Sequence, residues 1–123
     1  MPSLTLTSQE LAIMKVIWHR GDSTVREVYE TLRTRRRIAY TTVMTMMNVL
    51  ETKGHLTKGP DGRAFRYRAA QPAQRVLSAM VREFVDRVFD GAATSLLAHL
   101  ATDTRLSKSQ RAELRRLIEA AGK

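Results

Sequence analysis

The sequence predicts a mainly α-helical protein with one small β-hairpin, followed by a second helical region. Three observations lead to this fold class. Apolar residues recur at helical spacing in three segments before residue 54, apolar and basic residues alternate over residues 64–68, and helical spacing returns after Pro72. We therefore place a boundary at this proline and predict two domains, residues 1–71 and 72–123.

The first two helices are predicted from their caps. Thr7 and Thr24 each stand three residues before a glutamate, the spacing of a capping box, and apolar side chains follow at helical intervals. Gly21 is expected to end the first helix, because glycine readily adopts the backbone conformation found there. Arginines within residues 33–37 interrupt the second helix, so we expect a loop over residues 34–39.

A third helix is predicted from Tyr40 to Lys53, with Gly54 after it. It carries no charged side chain between Tyr40 and Leu50, although the solvent-facing side of a helix normally carries charged residues. Its outer face is therefore a candidate contact surface. The apolar face is predicted to be Val43, Met46, Met47 and Leu50, and the opposite face Thr41, Thr45, Asn48 and Thr52.

A β-hairpin is predicted after the third helix. Residues 56–58 and 64–68 form its strands, and the turn is placed at residues 59–62, where Gly-Pro-Asp-Gly is a strong turn signal. The alternation predicts two aromatic side chains directed inward, Phe65 and Tyr67, and two arginines directed outward, Arg66 and Arg68.

Three short helices followed by a hairpin are the order of elements in a winged helix-turn-helix. In that geometry the third helix enters the major groove of double-stranded DNA, and the hairpin, or wing, reaches the flanking backbone. Hydroxyl and amide groups of the third helix can meet base edges, and Asn48 can pair with adenine through two hydrogen bonds. Contacts to the DNA backbone are expected from Arg35, Arg36, Arg37, Tyr40, Arg63, Arg66 and Arg68.

The charge balance favours a polyanionic partner. The chain has 21 Lys and Arg against 12 Asp and Glu, a formal charge of +9. Residues 1–70 carry twelve basic and six acidic side chains, and residues 71–123 carry nine and six, so the excess is concentrated in the first half. Such a balance is typical of proteins that bind nucleic acid or an anionic membrane surface.

Other function classes find little support in the sequence. The chain lacks cysteine, which excludes disulfides and thiolate metal sites, and its three histidines have no metal-ligand spacing. No phosphate-binding loop or nucleophile motif occurs, so we expect neither enzymatic activity nor a cofactor or metal. No apolar run reaches ~18 residues and no secretory signal is visible, which predicts a cytoplasmic protein without membrane insertion.

The helical region after Pro72 carries more apolar surface than so short a segment can bury alone. Ser107 and Gln110 repeat the capping-box pattern at the start of its last helix. Self-association is the simplest way to bury this surface, and a two-fold dimer would bind a near-palindromic operator. The alternative is a monomer in which these helices pack back on the winged helix. The predicted dimerisation residues are Val76, Met80, Phe84, Val88, Phe89, Leu96, Leu97, Leu100, Leu114, Leu117 and Ile118.

With these segments identified, the chain resembles the penicillinase repressor (BlaI/MecI) family of winged-helix repressors. The most specific stretches are LTSQELAIMKVIW, TVREVYETL, AYTTVMTMMNVLETKG and RAFRYR, and SLLAHLATDTRLSKSQRAELRRLI is similar to the family's dimerisation helices. The resemblance implies a homodimeric repressor on a palindromic operator. By position it assigns DNA-facing roles to Thr41, Thr42, Met44, Thr45 and Asn48, with Arg63 in the wing.

The resemblance also implies a release mechanism. Repression in the family is lifted when a membrane-bound sensor metalloprotease triggers cleavage in the C-terminal domain. Staphylococcal members are cut between Asn and Phe, and the matching positions here are His99 and Leu100. Copper-responsive relatives carry cysteine metal motifs, which this chain lacks.

Two other functions stay open from the residues alone. In the first, the third helix packs against another protein, and the positive charge only aids solubility. In the second, the chain is a DNA-binding regulator released by a small ligand lodged between the wing and the dimerisation domain. A gel-shift assay on genomic fragments separates the first from DNA binding.

Overall fold

The computed structural model describes residues 5–103 and 105–121, and it confirms the predicted fold class of a mainly helical chain with one antiparallel hairpin. In chain order the elements are α1 (Ser8–Arg20), α2 (Val25–Leu32), α3 (Tyr40–Thr52), β1 (Leu56–Asp61), β2 (Ala64–Ala69), α4 (Ala73–Val88), α5 (Ala93–Ala101) and α6 (Lys108–Ala121). The third helix therefore begins at the predicted residue.

Backbone packing divides the chain into two units, one up to Val81 and one from Arg82 onward. The sequence had placed the boundary before α4, whereas the division falls inside this helix. The reason is Val76, which is fully buried in the core of the first unit, while Met80 packs against that core. Val76 was predicted to contact a second copy, and its burial corrects that expectation.

The core of the first unit is formed by α1, α2, α3, the hairpin and the start of α4. Within α3, the residues Val43, Met47 and Leu50 are completely buried and fall on one face of the helix. Burying an apolar side chain of this size contributes roughly 1.5–3 kcal/mol, so this face fixes the orientation of α3. The other core residues with 3% exposure or less are Ile13, Met14, Ile17, Val28, Leu56, Tyr67 and Val76.

Capping boxes start three of the helices, as the sequence predicts. At α1 the Thr7 hydroxyl accepts from the Glu10 amide at 3.2 Å, and the Thr7 amide donates to the Glu10 carboxylate at 2.9 Å. Thr24 makes the same reciprocal pair at α2, and Ser107 makes it with a glutamine at α6. By contrast, the N-cap of α3 is Ala39, which provides no side-chain hydrogen bond.

The hairpin is longer than predicted, and its turn lies further along the chain. Asp61 pairs with Ala64, so the turn consists of Gly62 and Arg63, and Gly62 takes a φ of 62°. The predicted turn at residues 59–62 is therefore wrong, because Pro60 lies within β1. A two-stranded ribbon has only edge strands, where a proline need not donate to a ladder.

Phe65 departs from its predicted inward position. Tyr67 is 3% exposed, as expected, but Phe65 is 50% exposed. The two side chains share a face of β2 because they are two residues apart. Phe65 lies next to the turn, where the strand extends beyond the buried core, and it is therefore available at the surface.

A buried ion pair connects the start of α1 to the end of α3. Glu10 is 4% exposed, and its carboxylate accepts from the Lys53 ammonium at 2.9 Å. Burial alone would raise the pKa of Glu10, but hydrogen bonds from the Thr7 backbone and from Lys53 outweigh it and hold the pKa below its ordinary value. The ionised carboxylate is thus stabilised in the folded state.

Replacing Lys53 by methionine is expected to lower the free energy of unfolding by about 1–2 kcal/mol at pH 7. A fully buried pair would lose more, but the Lys53 side chain is 46% exposed. Because the folded-state pKa of Glu10 is lowered, its contribution is present above the unfolded-state value and is lost as the pH falls through the folded-state value. The deficit of the variant should therefore shrink at pH 3 in urea-unfolding curves.

The surface variant Lys15→Met is the control. It makes the same substitution and removes one positive charge, but at an exposed position of α1. It is expected to match the unsubstituted chain at both pH values. A deficit of Lys53→Met that stayed constant between pH 7 and pH 3 would contradict a role for ionised Glu10.

The second unit contains the end of α4, α5 and α6. The Phe89 ring lies 5.8 Å from the Phe84 ring and 5.3 Å from the His99 ring, centroid to centroid. Large apolar side chains nevertheless stay at the surface: Phe84 is 40% exposed and Leu117 is 56% exposed. Among the described residues of this unit, Val85 is the buried apolar side chain.

Candidate nucleic-acid interface

The outer face of α3 presents small polar groups and one thioether. Thr41, Thr45 and Asn48 are exposed, Thr42 is partly buried, and Met44 is 40% exposed. Because the opposite face is anchored in the core, these five side chains are held on one side of the first unit. All five were predicted as base-facing residues; Thr41, Thr45 and Asn48 share the outer face, and Met44 and Thr42 lie on its two flanks.

The N-terminal end of α3 combines an open helix terminus with aromatic and cationic side chains. Ala39 leaves the first-turn amides without a side-chain acceptor, and such amides bind phosphate well. Tyr40 opens the helix, with its ring edge-to-face on Tyr29 at 5.5 Å. The Arg26 guanidinium lies 5.3 Å from the centre of the Tyr40 ring. This packing fixes Tyr40 at the start of α3.

A groove of about 600 Å³ runs between α3 and the wing. Met44 and Asn48 line it from α3, and Phe65 and Tyr67 line it from β2. Its cationic residues are Arg26, Lys58 and Arg63, and the Lys58 ammonium lies 4.7 Å from the centre of the Phe65 ring. The groove therefore joins apolar and hydrogen-bonding groups to positive charge, a combination suited to a nucleic-acid strand.

Arg66 and Arg68 are engaged within the protein, which differs from their expected role at phosphates. Arg66 contacts Asp61 at 3.0 Å and Glu27 at 3.2 Å, and it donates to the Asp22 carbonyl oxygen at 2.9 Å. Arg68 donates to the Asp22 carboxylate at 2.9 Å. These contacts tie the wing to the residues around the start of α2. Their charges are compensated by carboxylates, so they add little net positive charge to the surface.

Two carboxylates of this network, Asp22 and Glu27, have lowered pKa values. The Arg68 hydrogen bond holds the pKa of Asp22 below its ordinary value, with a further contribution from the charge of Arg66. The backbone hydrogen bond at Thr24 lowers the pKa of Glu27, and the charges of Arg66 and Arg20 act in the same direction. Both of these carboxylates are therefore charged at neutral pH.

The arginines before α3 form a different environment. Arg35, Arg36 and Arg37 are all exposed, and none forms an ion pair with a carboxylate anywhere in residues 5–103 and 105–121. Arg63, in the turn of the wing, is also exposed and has no ion pair with a carboxylate among the described residues. Uncompensated positive charge is thus found on the loop that leads into α3 and at the wing tip.

Sequence reasoning did not identify three features of this surface. These are Arg26, Lys58 and the hydrogen bond from the Tyr67 hydroxyl to Asn48 on α3. Lys58 is the strand partner of Tyr67, so a correct hairpin register would have placed it beside the groove. Arg26 follows the cap of α2 by two residues, and only the packing of α2 on α3 brings it to Tyr40. No local signal in the sequence identifies that contact.

The predicted dimerisation residues of the second unit are partly or fully accessible. Phe84, Val88, Leu117 and Ile118 are exposed, and Val88 reaches 49%. Those that are partly buried are Phe89, Leu96, Leu97, Leu100 and Leu114. His99 and Leu100, predicted as the cleavage region, lie within α5 rather than in a loop.

The described part of the chain contains neither a metal-binding cluster nor a membrane-spanning helix. No group of three or more histidine, aspartate or glutamate side chains is arranged there to hold a metal ion. None of the helices there combines the length and apolar character needed to cross a membrane.

The fold and this surface define a winged-helix DNA-binding regulator of transcription. Residues 6–120 match the model of the penicillinase repressor family, and the chain belongs to this family of transcriptional repressors. It is 32% identical over 121 residues to the transcriptional regulator BlaI of Mycobacterium tuberculosis, across 96% of this chain and 86% of the relative. To the penicillinase repressor of Bacillus licheniformis it is 26% identical, across 93% and 89% of the two chains.

A solved structure matches the first unit. It is the solution structure of the monomeric form of Bacillus licheniformis BlaI in complex with the blaP half-operator. The match has a TM-score of 0.51 and 30% identity, and it covers 57% of this chain and 85% of the other. The likeness therefore concerns the winged-helix part of the chain.

Proposed function

We propose that the chain represses transcription as a cytoplasmic homodimer, which binds a near-palindromic operator through α3 and the wing. The observation that carries this proposal is the exposed, uncharged face of α3, flanked by arginines that have no carboxylate partner among the described residues. Neutral hydroxyl and amide groups discriminate base edges, whereas the flanking cations supply affinity for the backbone. The solved relative in complex with a half-operator supports DNA binding by the matching part of this chain.

The residues divide between two roles in this proposal. The base-facing set of α3 comprises Thr41, Thr42, Met44, Thr45 and Asn48, as the sequence indicated. The backbone-facing set keeps Arg35, Arg36, Arg37, Tyr40 and Arg63, and it gains Lys58 from the groove, where Arg26 is already paired with Glu30 at 3.6 Å. Arg66 and Arg68 act indirectly, since their ion pairs fix the wing in position.

The homodimer is proposed from the apolar surface of the second unit. Several large side chains there are 40–56% exposed, among them Phe84, Val88, Leu117 and Ile118. Apolar exposure of this kind in a small unit favours a protein partner. A second copy is the simplest one, because a two-fold pair would present two α3 helices to two half-sites.

Release is proposed to follow proteolysis in the C-terminal region, with a membrane sensor metalloprotease as the partner that triggers it. The peptide bond between His99 and Leu100 lies inside α5, and extended backbone is what a protease active site binds. Cleavage at this position therefore requires α5 to open first, which makes local unfolding of this helix part of the release step.

Footprinting of the DNA upstream of the chain's own gene tests the proposed function. Purified full-length chain is expected to protect two half-sites related by a two-fold axis, about one helical turn or a multiple of it apart. A gel-shift series with genomic fragments should retard the same DNA at physiological salt. If no fragment is retarded, the chain is a protein-interaction module and the proposal is wrong.

A further inference from the structure

Tyr67 connects three parts of the first unit. Its backbone amide donates to the Ser23 carbonyl at 2.8 Å and its carbonyl accepts from the Ser23 amide at 2.9 Å. Its ring is 3% exposed within the core. Its hydroxyl lies 3.0 Å from Oδ1 of Asn48 on α3. The turn before α2, the wing and the DNA-facing helix thus meet at this one tyrosine.

This contact determines which end of the Asn48 amide remains available. An asparagine side chain carries one acceptor oxygen and one NH₂ group with two donors. The Tyr67 hydroxyl donates to Oδ1, so the oxygen is directed toward the protein. Because Oδ1 and Nδ2 lie on opposite sides of the same carbon, the NH₂ group is the end left for the groove. Burial raises the pKa of Tyr67, so the hydroxyl remains a donor at physiological pH.

We propose that Tyr67 is a positioning residue that makes Asn48 a hydrogen-bond donor to the N7 atom of a purine in the operator. The inference rests on the proposed function and specifies its base recognition. Both adenine and guanine present N7 as an acceptor in the major groove, so a donor from Asn48 would accept either purine at that position. Two-bond pairing with adenine would need Oδ1 to accept from the base as well, and the Tyr67 hydroxyl holds that oxygen toward the protein.

The alternative is that Tyr67 acts only through the core. In that case loss of its hydroxyl would lower stability and weaken all DNA equally, without changing the response to any one base. Tyr67→Phe separates the two roles, because it keeps the buried ring and removes only the hydroxyl. Thr31→Val is the matched control, since it also removes a hydroxyl that is hydrogen-bonded in the folded state, to the Glu27 carbonyl in α2.

The test uses the full-length chain and duplexes of the operator found by footprinting. Each purine in turn is replaced by its 7-deaza analogue, which keeps Watson–Crick pairing and removes N7. For the unsubstituted chain, one such replacement is expected to weaken binding by about 5- to 100-fold, the range of a specific base contact. Asn48→Ala should bind that modified duplex and the unmodified one about equally.

Tyr67→Phe decides the positioning role. The penalty is the fold loss of affinity when the purine is replaced by its 7-deaza analogue. For Tyr67→Phe this penalty is expected to be less than about a third of that of the unsubstituted chain, whereas Thr31→Val should keep the full penalty. Equal penalties in Tyr67→Phe and the unsubstituted chain would overturn the inference. It would also be overturned if every 7-deaza replacement weakened Asn48→Ala as much as it weakens the unsubstituted chain. If the unsubstituted chain bound no duplex at all, the proposed function would fail and this inference with it.

Discussion

Raising the salt concentration from 50 to 200 mM is expected to weaken binding of the chain to its operator by about 10³-fold. Each phosphate neutralised by a cation releases condensed counterions, and this release is less favourable when bulk salt is high. Arg35, Arg36, Arg37 and Arg63 are exposed without carboxylate partners in the described residues, and Lys58 lines the groove. Two copies of this set give roughly 6–10 phosphate contacts, which corresponds to the expected loss.

Two arginines of the wing provide a matched comparison for this result. Arg63→Ala should reduce the slope of log affinity against log salt by about one per contact and weaken binding to specific and random DNA alike. Arg68→Ala removes the same charge from the same hairpin, but Arg68 is paired with Asp22, so its slope should stay near that of the unsubstituted chain. Filter-binding titrations at four or more salt concentrations measure both slopes. Equal slopes for the two variants would contradict this division of the wing arginines.

The double variant Phe84→Glu with Ile118→Glu is expected to be monomeric and to lose more than about 100-fold in affinity for the full operator. Both side chains are exposed in the second unit, at 40% and 43%, and a carboxylate buried between two copies would be costly to desolvate. A monomer engages one half-site only, so it loses the gain from simultaneous contact at the second.

Sedimentation equilibrium and gel-shift titrations measure the two parts of this prediction. Affinity for an isolated half-site should be nearly unchanged, because the substitutions lie outside the first unit. The control is Thr94→Glu with Ala120→Glu, which adds the same charge at exposed positions of α5 and α6. A dimeric double variant would rule out Phe84 and Ile118 as interface residues.

The sequence predicted those features that depend on neighbours along the chain. The capping boxes at Thr7 and Thr24 and the one-sided burial of α3 follow from spacing alone, and each is present in the structure. The outer face of α3 was predicted as the side of the helix opposite its apolar residues. Spacing thus identifies the exposed residues Thr41, Thr45, Asn48 and Thr52, whereas the proposed roles of Thr42 and Met44 come from the family resemblance.

Features set by distant parts of the chain were not predictable in this way. The Gly-Pro-Asp-Gly motif signalled a turn, but the pairing of Asp61 with Ala64 placed the turn two residues beyond that motif's centre. Arg68 alternates correctly along β2, yet its partner Asp22 is 46 residues away in sequence. Val76 fits an amphipathic helix equally well on an outer or an inner face, and only the core of the first unit decides between them.

The N-cap of α3 is an alanine, as is that of α5, and the terminus of α3 lies beside the proposed DNA surface. An alanine at this position forgoes about 1 kcal/mol relative to serine, threonine, aspartate or asparagine. The other helices with a threonine or serine cap retain that stabilisation. An aspartate at position 39 would strengthen the isolated fold, but it would place a negative charge where a phosphate oxygen is proposed to approach. In the unsubstituted chain, a phosphate of the operator would take the place of the missing cap. Operator binding should therefore raise the melting temperature of the chain by more than the side-chain contacts alone would.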